Sequence, residues 1–176
     1  MVRNQYGREK GVFFEQVRRG GIPDPYMPRK GFPEPAICPS CQAIYHKKRW
    51  VMDEKLLYDI KKHPEVKYHK CPACRKIEDH FAMGLIELSG DFVIEHKADL
   101  INLIKSEEKR AMEKNPLERI ISIDRKNDKI EVAVTTDSLA LRIGRVLERA
   151  YKGKSDYKFR SGDKYVTVHW KREEGK

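Results

Sequence analysis

Apolar residues in this chain recur with two different periods, and the changes of period mark its elements. Between Asp91 and Lys114, Phe92, Leu100, Ile101, Leu103, Ile104, Ala111 and Met112 follow a helical spacing that Asn115-Pro116 ends, which predicts the longest helix. The run IISIDRKNDKIEVAVTT alternates on both sides of Asn127-Asp128 and predicts a hairpin. A helix is predicted from about Asp137 to Tyr151, opened by Thr136, Asp137 and Ser138 as capping residues and stopped at Gly153. Its buried side is Leu139, Ile143, Val146, Leu147 and Ala150. DYKFRSGDKYVTVHWK then reads as a second hairpin around Ser161-Gly162-Asp163. Ile130, Val132, Val134, Val166, Val168 and Trp170 share the inward parity. Residues 117–173 are therefore expected as a ββαββ antiparallel-sheet domain, four strands with the helix on one face.

Upstream the pattern is more broken. QAIYHKKRWVM, EVKYHK and HFAMGLIEL read as strands, and Leu56, Leu57 and Ile60 place a helix from Asp53 to Lys62 ahead of Pro64. Residues 37–90 are expected as one small module with Trp50, Met83 and Leu85 in its core, joined to the sheet domain by the helix of residues 91–116. Residues 1–36 include GGIPDPYMPRKGFPEP, too dense in Gly and Pro for a helix or a central strand. They read as a basic flexible arm, extended or ordered only by a partner, with one short helical turn at Val12, Phe13, Phe14 and Val17.

The cysteines change this picture most. All four fall in two identically built pairs, Cys38-Pro-Ser-Cys41 and Cys71-Pro-Ala-Cys74, with 29 residues between them. Two residues between paired thiolates let one tight turn present both to a metal, and four such ligands suit tetrahedral Zn2+. The prolines stiffen each turn. Disulfides are the other use of four cysteines. The start MVRNQYGREK has no apolar leader-like run, so a reducing cytoplasmic setting is expected, where disulfides do not persist. A redox-responsive use of either CxxC is a further alternative, but it calls for a βαβ setting that the flanking strand-like runs do not supply. The histidines His46, His63, His69, His80, His96 and His169 are scattered and read as surface or neighbouring residues. A four-cysteine site leaves no open position for water, so no enzyme is expected, and no small-molecule substrate.

Charge then points to a partner. Lys and Arg number 37 against 27 Asp and Glu, a net charge of +10, and four thiolates on one zinc lower it by about two. The balance favours an anionic partner, nucleic acid first. No apolar run approaches the ~20 residues that span a bilayer, so no membrane is expected. Residues 91–118 are nearly neutral, with seven acids and five bases. By contrast Arg142, Arg145, Arg149 and Lys152 recur at intervals of three, four and three on one helix face, with Glu148 as the acid near enough to offset them. Lys158, Arg160, Tyr165, His169 and Lys171 point away from the core on the last strands. Lys47, Lys48 and Arg49 add a basic run in the cysteine module, and Arg18, Arg19, Tyr26, Arg29 and Lys30 are the candidate contacts of the arm. A merely solvated face is the alternative for such runs.

The segments CPSCQAIYHKKRW, CPACRKIEDHFAMGLIELSGDF and VAVTTDSLALRIGRVLERAYKGK resemble a family of small prokaryotic four-cysteine zinc-ribbon proteins, over roughly residues 30–172. More distantly, CPAC with the following R-K...L-I-E-L stretch and the V-T-T...L-A-x-x-I-G-x-x-L helix resemble the zinc-binding part of the nonsense-mediated-decay-protein-three family, the large-ribosomal-subunit export adaptor and its archaeal relatives. That resemblance implies binding to ribosomal RNA at the large subunit, through zinc knuckles and an α+β domain; ribosomal proteins are expected as further partners. The sequence departs from that family in having one four-cysteine site where the family has more, and further C-terminal domains are not expected. The expected function is that of a zinc protein binding structured RNA, in ribosome assembly, quality control or dormancy. The alternative is a protein-interaction adaptor that uses its zinc knuckles.

Overall fold

The computed structural model describes residues 24–126, 128–160 and 164–173, an α+β structure with two mixed sheets. The expected contacts Arg18 and Arg19, the helical turn at residues 12–17, and Asn127 and residues 161–163 of the two hairpin turns lie outside the described residues.

The first sheet has the order β3-β2-β1-β4, built from β1 (Ala36–Ile37), β2 (Ile44–His46), β3 (Arg49–Val51) and β4 (Lys67–Tyr68). β4 runs parallel to β1, and the other pairs are antiparallel. Helix α1 (Glu54–Lys61) begins where the Asp53 carboxylate accepts the Leu56 N–H at 2.9 Å. It buries Ile60 on Ile37 and Ile44, with Leu56, Leu57, Val51 and Val66 around them. The segment expected as one strand, QAIYHKKRWVM, is instead a hairpin. His46 pairs with Arg49, so Lys47 and Lys48 form a two-residue turn, both left-handed at φ 51° and 61°. Lysine is a poor residue for that geometry, and the Glu34 carboxylate compensates by accepting both turn amides at 2.9 Å. Helix α2 (Pro72–Glu78) was not expected, although Pro72 directly after Cys71 is a helix-start signal.

The second sheet has five strands, in the order β6 (Ile120–Lys126), β7 (Lys129–Val134), β5 (Gly84–Ser89), β9 (Val166–Lys171) and β8 (Lys154–Phe159). β6 and β7 form one antiparallel hairpin; β8 and β9 form the other. The expected four-stranded antiparallel sheet therefore needs correcting, because the hairpins do not touch. β5 lies between them, antiparallel to β7 and parallel to β9, which makes the sheet mixed. Its alternation puts Ile86 and Leu88 in the core beside Ile130, Val132, Val134, Val166, Val168 and Trp170. The strand expected to close the cysteine module thus has its hydrogen bonds in the other sheet. Helix α5 (Asp137–Tyr151) lies on the buried face with Leu139, Ala140, Ile143 and Leu147 inward, while Ala150 is exposed, contrary to expectation.

The long helix is broken once. α3 (Asp91–Glu95) and α4 (Lys97–Lys114) meet at His96, whose φ of −108° and ψ of 23° leave the helical region. There the Phe92 ring stacks on His96 at 4.0 Å and lies 5.4 Å from Tyr151 and 6.2 Å from Trp170. Gly90 turns the chain from β5 into α3 at φ 103° and ψ 164°, a region open to glycine almost alone, and an added Cβ would stand 2.2 Å from the Arg172 carbonyl oxygen. Gly90→Ala is expected to lower stability by about 3 kcal/mol through strain and clash together. Urea unfolding of the two proteins measures the difference.

Residues 24–36 depart from the arm expected there. Phe32 packs edge-on against Tyr45 and Trp50, with centroids 5.2 Å away in each case. With Tyr26 buried and Glu34 on the β2–β3 turn, this stretch forms a strap across the cysteine module. Aromatic anchors between the prolines outweigh the local poverty of hydrogen bonding.

Candidate metal centre

Both cysteine pairs are set by backbone turns. The first turn is closed by the Cys38 N–H on the Ala43 carbonyl at 2.8 Å and the Gln42 N–H on the Cys38 carbonyl at 2.9 Å. Gln42 itself is left-handed at φ 63°. The second pair opens α2. Cys71 is its N-cap, with the Sγ accepting the Cys74 N–H at 3.4 Å. The Cys71 N–H in turn points at the Cys38 Sγ, 3.3 Å away. One pair thus stands on a turn and the other at the start of a helix, whose first amides include the Cys74 N–H directed at the Cys71 sulfur.

The four ligand sulfurs lie within 4.8 Å of one another, the arrangement of a metal site. Sulfurs about 2.3 Å from a central zinc stand about 3.8 Å apart at tetrahedral angles. The Cys41 and Cys71 sulfurs are 3.7 Å apart. That is far beyond a disulfide bond, and none of the four cysteines forms one. Cys38 and Cys71 are buried and Cys41 and Cys74 half-buried, with Ala36, Ala43, Tyr45, Trp50 and Ala73 forming the apolar wall. Among the described residues no histidine or carboxylate joins the group. The donor set is closed and soft, which fits a structural metal ion.

The sulfurs do not titrate alike. A hydrogen bond from Cys71 holds the Cys41 thiol down at about 5. The same contact, and burial after it, pushes Cys71 up, while burial and repulsion from Cys41 push Cys74 up to about 12. A metal must therefore expel protons from Cys71 and Cys74 at neutral pH. Apparent metal affinity is expected to rise steeply with pH through the neutral range, with more than one proton released for each ion bound. It should fall more steeply still as pH drops through about 5, where Cys41 takes up its own proton. Competition titrations against a chelator of known pH response measure the slope.

The expected RNA contacts lie on several surfaces. Arg29 and Lys30 are exposed on the strap, and Lys47, Lys48 and Arg49 are exposed at the β2–β3 tip. Arg142, Arg145 and Arg149 line one groove of about 330 Å³ with Ser138 and Leu141. Arg145 and Arg149 are exposed and make no ion pair among the described residues. Arg142 is half-buried, 3.8 Å from the Glu118 carboxylate. Glu118, remote in sequence, is the carboxylate that faces this stripe. Glu148, the acid expected to offset it, makes no ion pair among the described residues, and its carboxylate accepts the Ser155 N–H at 3.2 Å. Lys152 is the left-handed C-cap of α5.

The uncovered face of the second sheet is less basic than its sequence suggests. Cross-strand pairing aligns Asp124, Glu131, Glu87, His169 and Asp156 in one row. Glu87 takes His169 at 2.6 Å, Asp156 takes Lys158 at 3.6 Å, and Glu173 takes Lys171 at 2.5 Å. Arg160 lies over the Tyr165 ring at 4.5 Å. Sequence reasoning missed this acidic row because its members come from five strands, and it missed Lys76 because α2 was not read as a helix.

Among the described residues no helix is long and apolar enough to cross a membrane. No known protein-family model matches the chain and no curated protein matches it, so the family resemblance rests on the quoted motifs alone.

Proposed function

We propose that this is a non-enzymatic cytoplasmic protein in which Zn2+ holds the four-cysteine module together and the basic face of α5 binds structured RNA. The partner we favour is the ribosome, through ribosomal RNA and ribosomal proteins, in assembly, quality control or dormancy. The observation that carries the reading is the groove on α5. Three arginines converge there, two of them exposed without an ion-pair partner among the described residues, on a chain of net charge +10. Planar guanidinium forks match phosphate oxygens, and crowded cations on one helix face repel one another until an anion lies along them. The closed sulfur set supports a structural rather than a catalytic metal. The uncovered sheet face, crossed by carboxylates, suits phosphate poorly.

Binding of purified ribosomal RNA, followed by fluorescence anisotropy across a salt series, tests the reading. Affinity is expected to fall linearly on a log–log plot, with a slope that counts phosphate contacts. Salt-insensitive association with ribosomal fractions would instead favour the protein adaptor, docking through exposed apolar side chains such as Met52 and Tyr68.

A further inference from the structure

Lys76 is 2% exposed and stands where three parts of the fold meet. Its Nζ donates to the Asp24 carboxylate of the strap and to the Thr135 carbonyl beyond β7 at 3.1 Å. It also touches the Met83 sulfur, just ahead of β5, at 3.0 Å. Three residues further on, Asp79 caps the end of α2 and accepts the Tyr26 hydroxyl at 2.8 Å. The buried Tyr26 ring packs edge-on against Phe81, centroids 5.0 Å apart, and lies under the Arg75 guanidinium at 5.1 Å. The Tyr26 N–H closes the group by donating to Asp24 at 3.0 Å.

The two residues that seat the start of the strap are thus held by side chains of α2 and of its C-cap. That helix carries Cys71 and Cys74 in its first turn, and it has only seven residues. A helix so short does not persist unaided, because its nucleation cost is spread over too few hydrogen bonds. Thiolate–metal bonds are what can fix its N-terminal end.

We propose that metal binding and the seating of residues 24–30 are one linked equilibrium, transmitted by Lys76 and Asp79. With the site filled, α2 is formed, and it delivers the Lys76 ammonium to Asp24 and the Asp79 carboxylate to Tyr26. With the site emptied, α2 frays and both anchors leave together. Arg29 and Lys30, exposed on the strap, then lose their fixed positions. Linkage runs in both directions, so an altered strap must weaken the metal site. The physical reason is that without Asp24 a buried ammonium is left to one carbonyl and one thioether. The inference does not depend on RNA binding and stands or falls without it.

The test uses the full chain. Zinc affinity is measured by competition with a chromogenic chelator for wild type, Asp24→Asn, Tyr26→Phe and Arg29→Gln. Trypsin cleavage after Arg29 and Lys30 is followed with zinc and with EDTA. Asp24→Asn is expected to weaken zinc binding about tenfold, within the usual range of coupling between sites. Tyr26→Phe should weaken it less, and Arg29→Gln not at all. Cleavage after Arg29 and Lys30 should be slow with zinc, fast in EDTA, and fast in Asp24→Asn even with zinc bound. Wild-type zinc affinity in Asp24→Asn, or equal cleavage with and without zinc in the wild type, overturns the proposal. Should Asp24→Asn not fold, Tyr26→Phe decides, since it removes one hydroxyl only, and unchanged affinity there counts against the linkage.

Discussion

Cys71→Ser is expected to abolish stoichiometric zinc binding, one ion per chain in the wild type, and to unfold residues 36–78 while the second sheet survives. The apolar clusters of the cysteine module are small. One gathers Ala36, Ala43, Tyr45, Trp50 and Ala73 around Cys38 and Cys71, and the other is Ile37, Ile44 and Ile60. A core of that size does not offset the chain entropy of its own strands, whereas structural zinc contributes roughly 10–16 kcal/mol of apparent binding energy. Serine does not replace the thiolate, and Cys71 is also the N-cap of α2 and the partner of Cys41. The second core contains no residue of β1–β4 or α2, so it has its own reasons to stay folded. Metal analysis of the purified variant and hydrogen exchange resolved by segment measure both halves. Retained zinc with unchanged protection in β1–β4 would falsify the assignment.

How much of this was legible beforehand depended on whether a feature was local. The four metal-site cysteines are visible because each pair needs only its own turn to present two sulfurs. The helix over Asp137–Tyr151 and the two hairpins around it are visible because period and caps agree there. β5 shows why the rest was not. Gly84–Ser89 alternates as any half-buried strand does, and nothing in its residues says that it pairs with β7 and β9 across intervals of about forty and eighty residues. The same limit hid the carboxylate row on the open sheet face and the approach of Glu118 to Arg142. The strap failed for another reason. Its prolines and glycines argue correctly against a helix or a central strand, but they say little about Tyr26 and Phe32, whose rings order it by packing.

Arg145→Gln with Arg149→Gln is expected to weaken RNA binding and to make its salt dependence shallower, at little cost to stability. Both side chains are exposed and make no ion pair among the described residues, and glutamine is about as good a helix former as arginine. The double variant should therefore stay within about 0.5 kcal/mol of the wild type. If each arginine neutralises one phosphate, the slope of log affinity against log salt falls by about 0.7–0.9 per residue, hence about 1.4–1.8 for the pair. Arg142 belongs to the same groove but makes a poorer test. Its guanidinium stands 3.8 Å from Glu118, a buried carboxylate, so Arg142→Gln leaves that charge without its cation and lowers stability. Loss of RNA binding in a triple variant would then mix a lost contact with a loosened start of α5, where Glu118 accepts the Ser138 hydroxyl at 3.0 Å. In the double variant the two causes are separate. A shallower slope with unchanged melting assigns the groove to phosphate; an unchanged slope and affinity would place the partner on another surface and move the adaptor reading ahead.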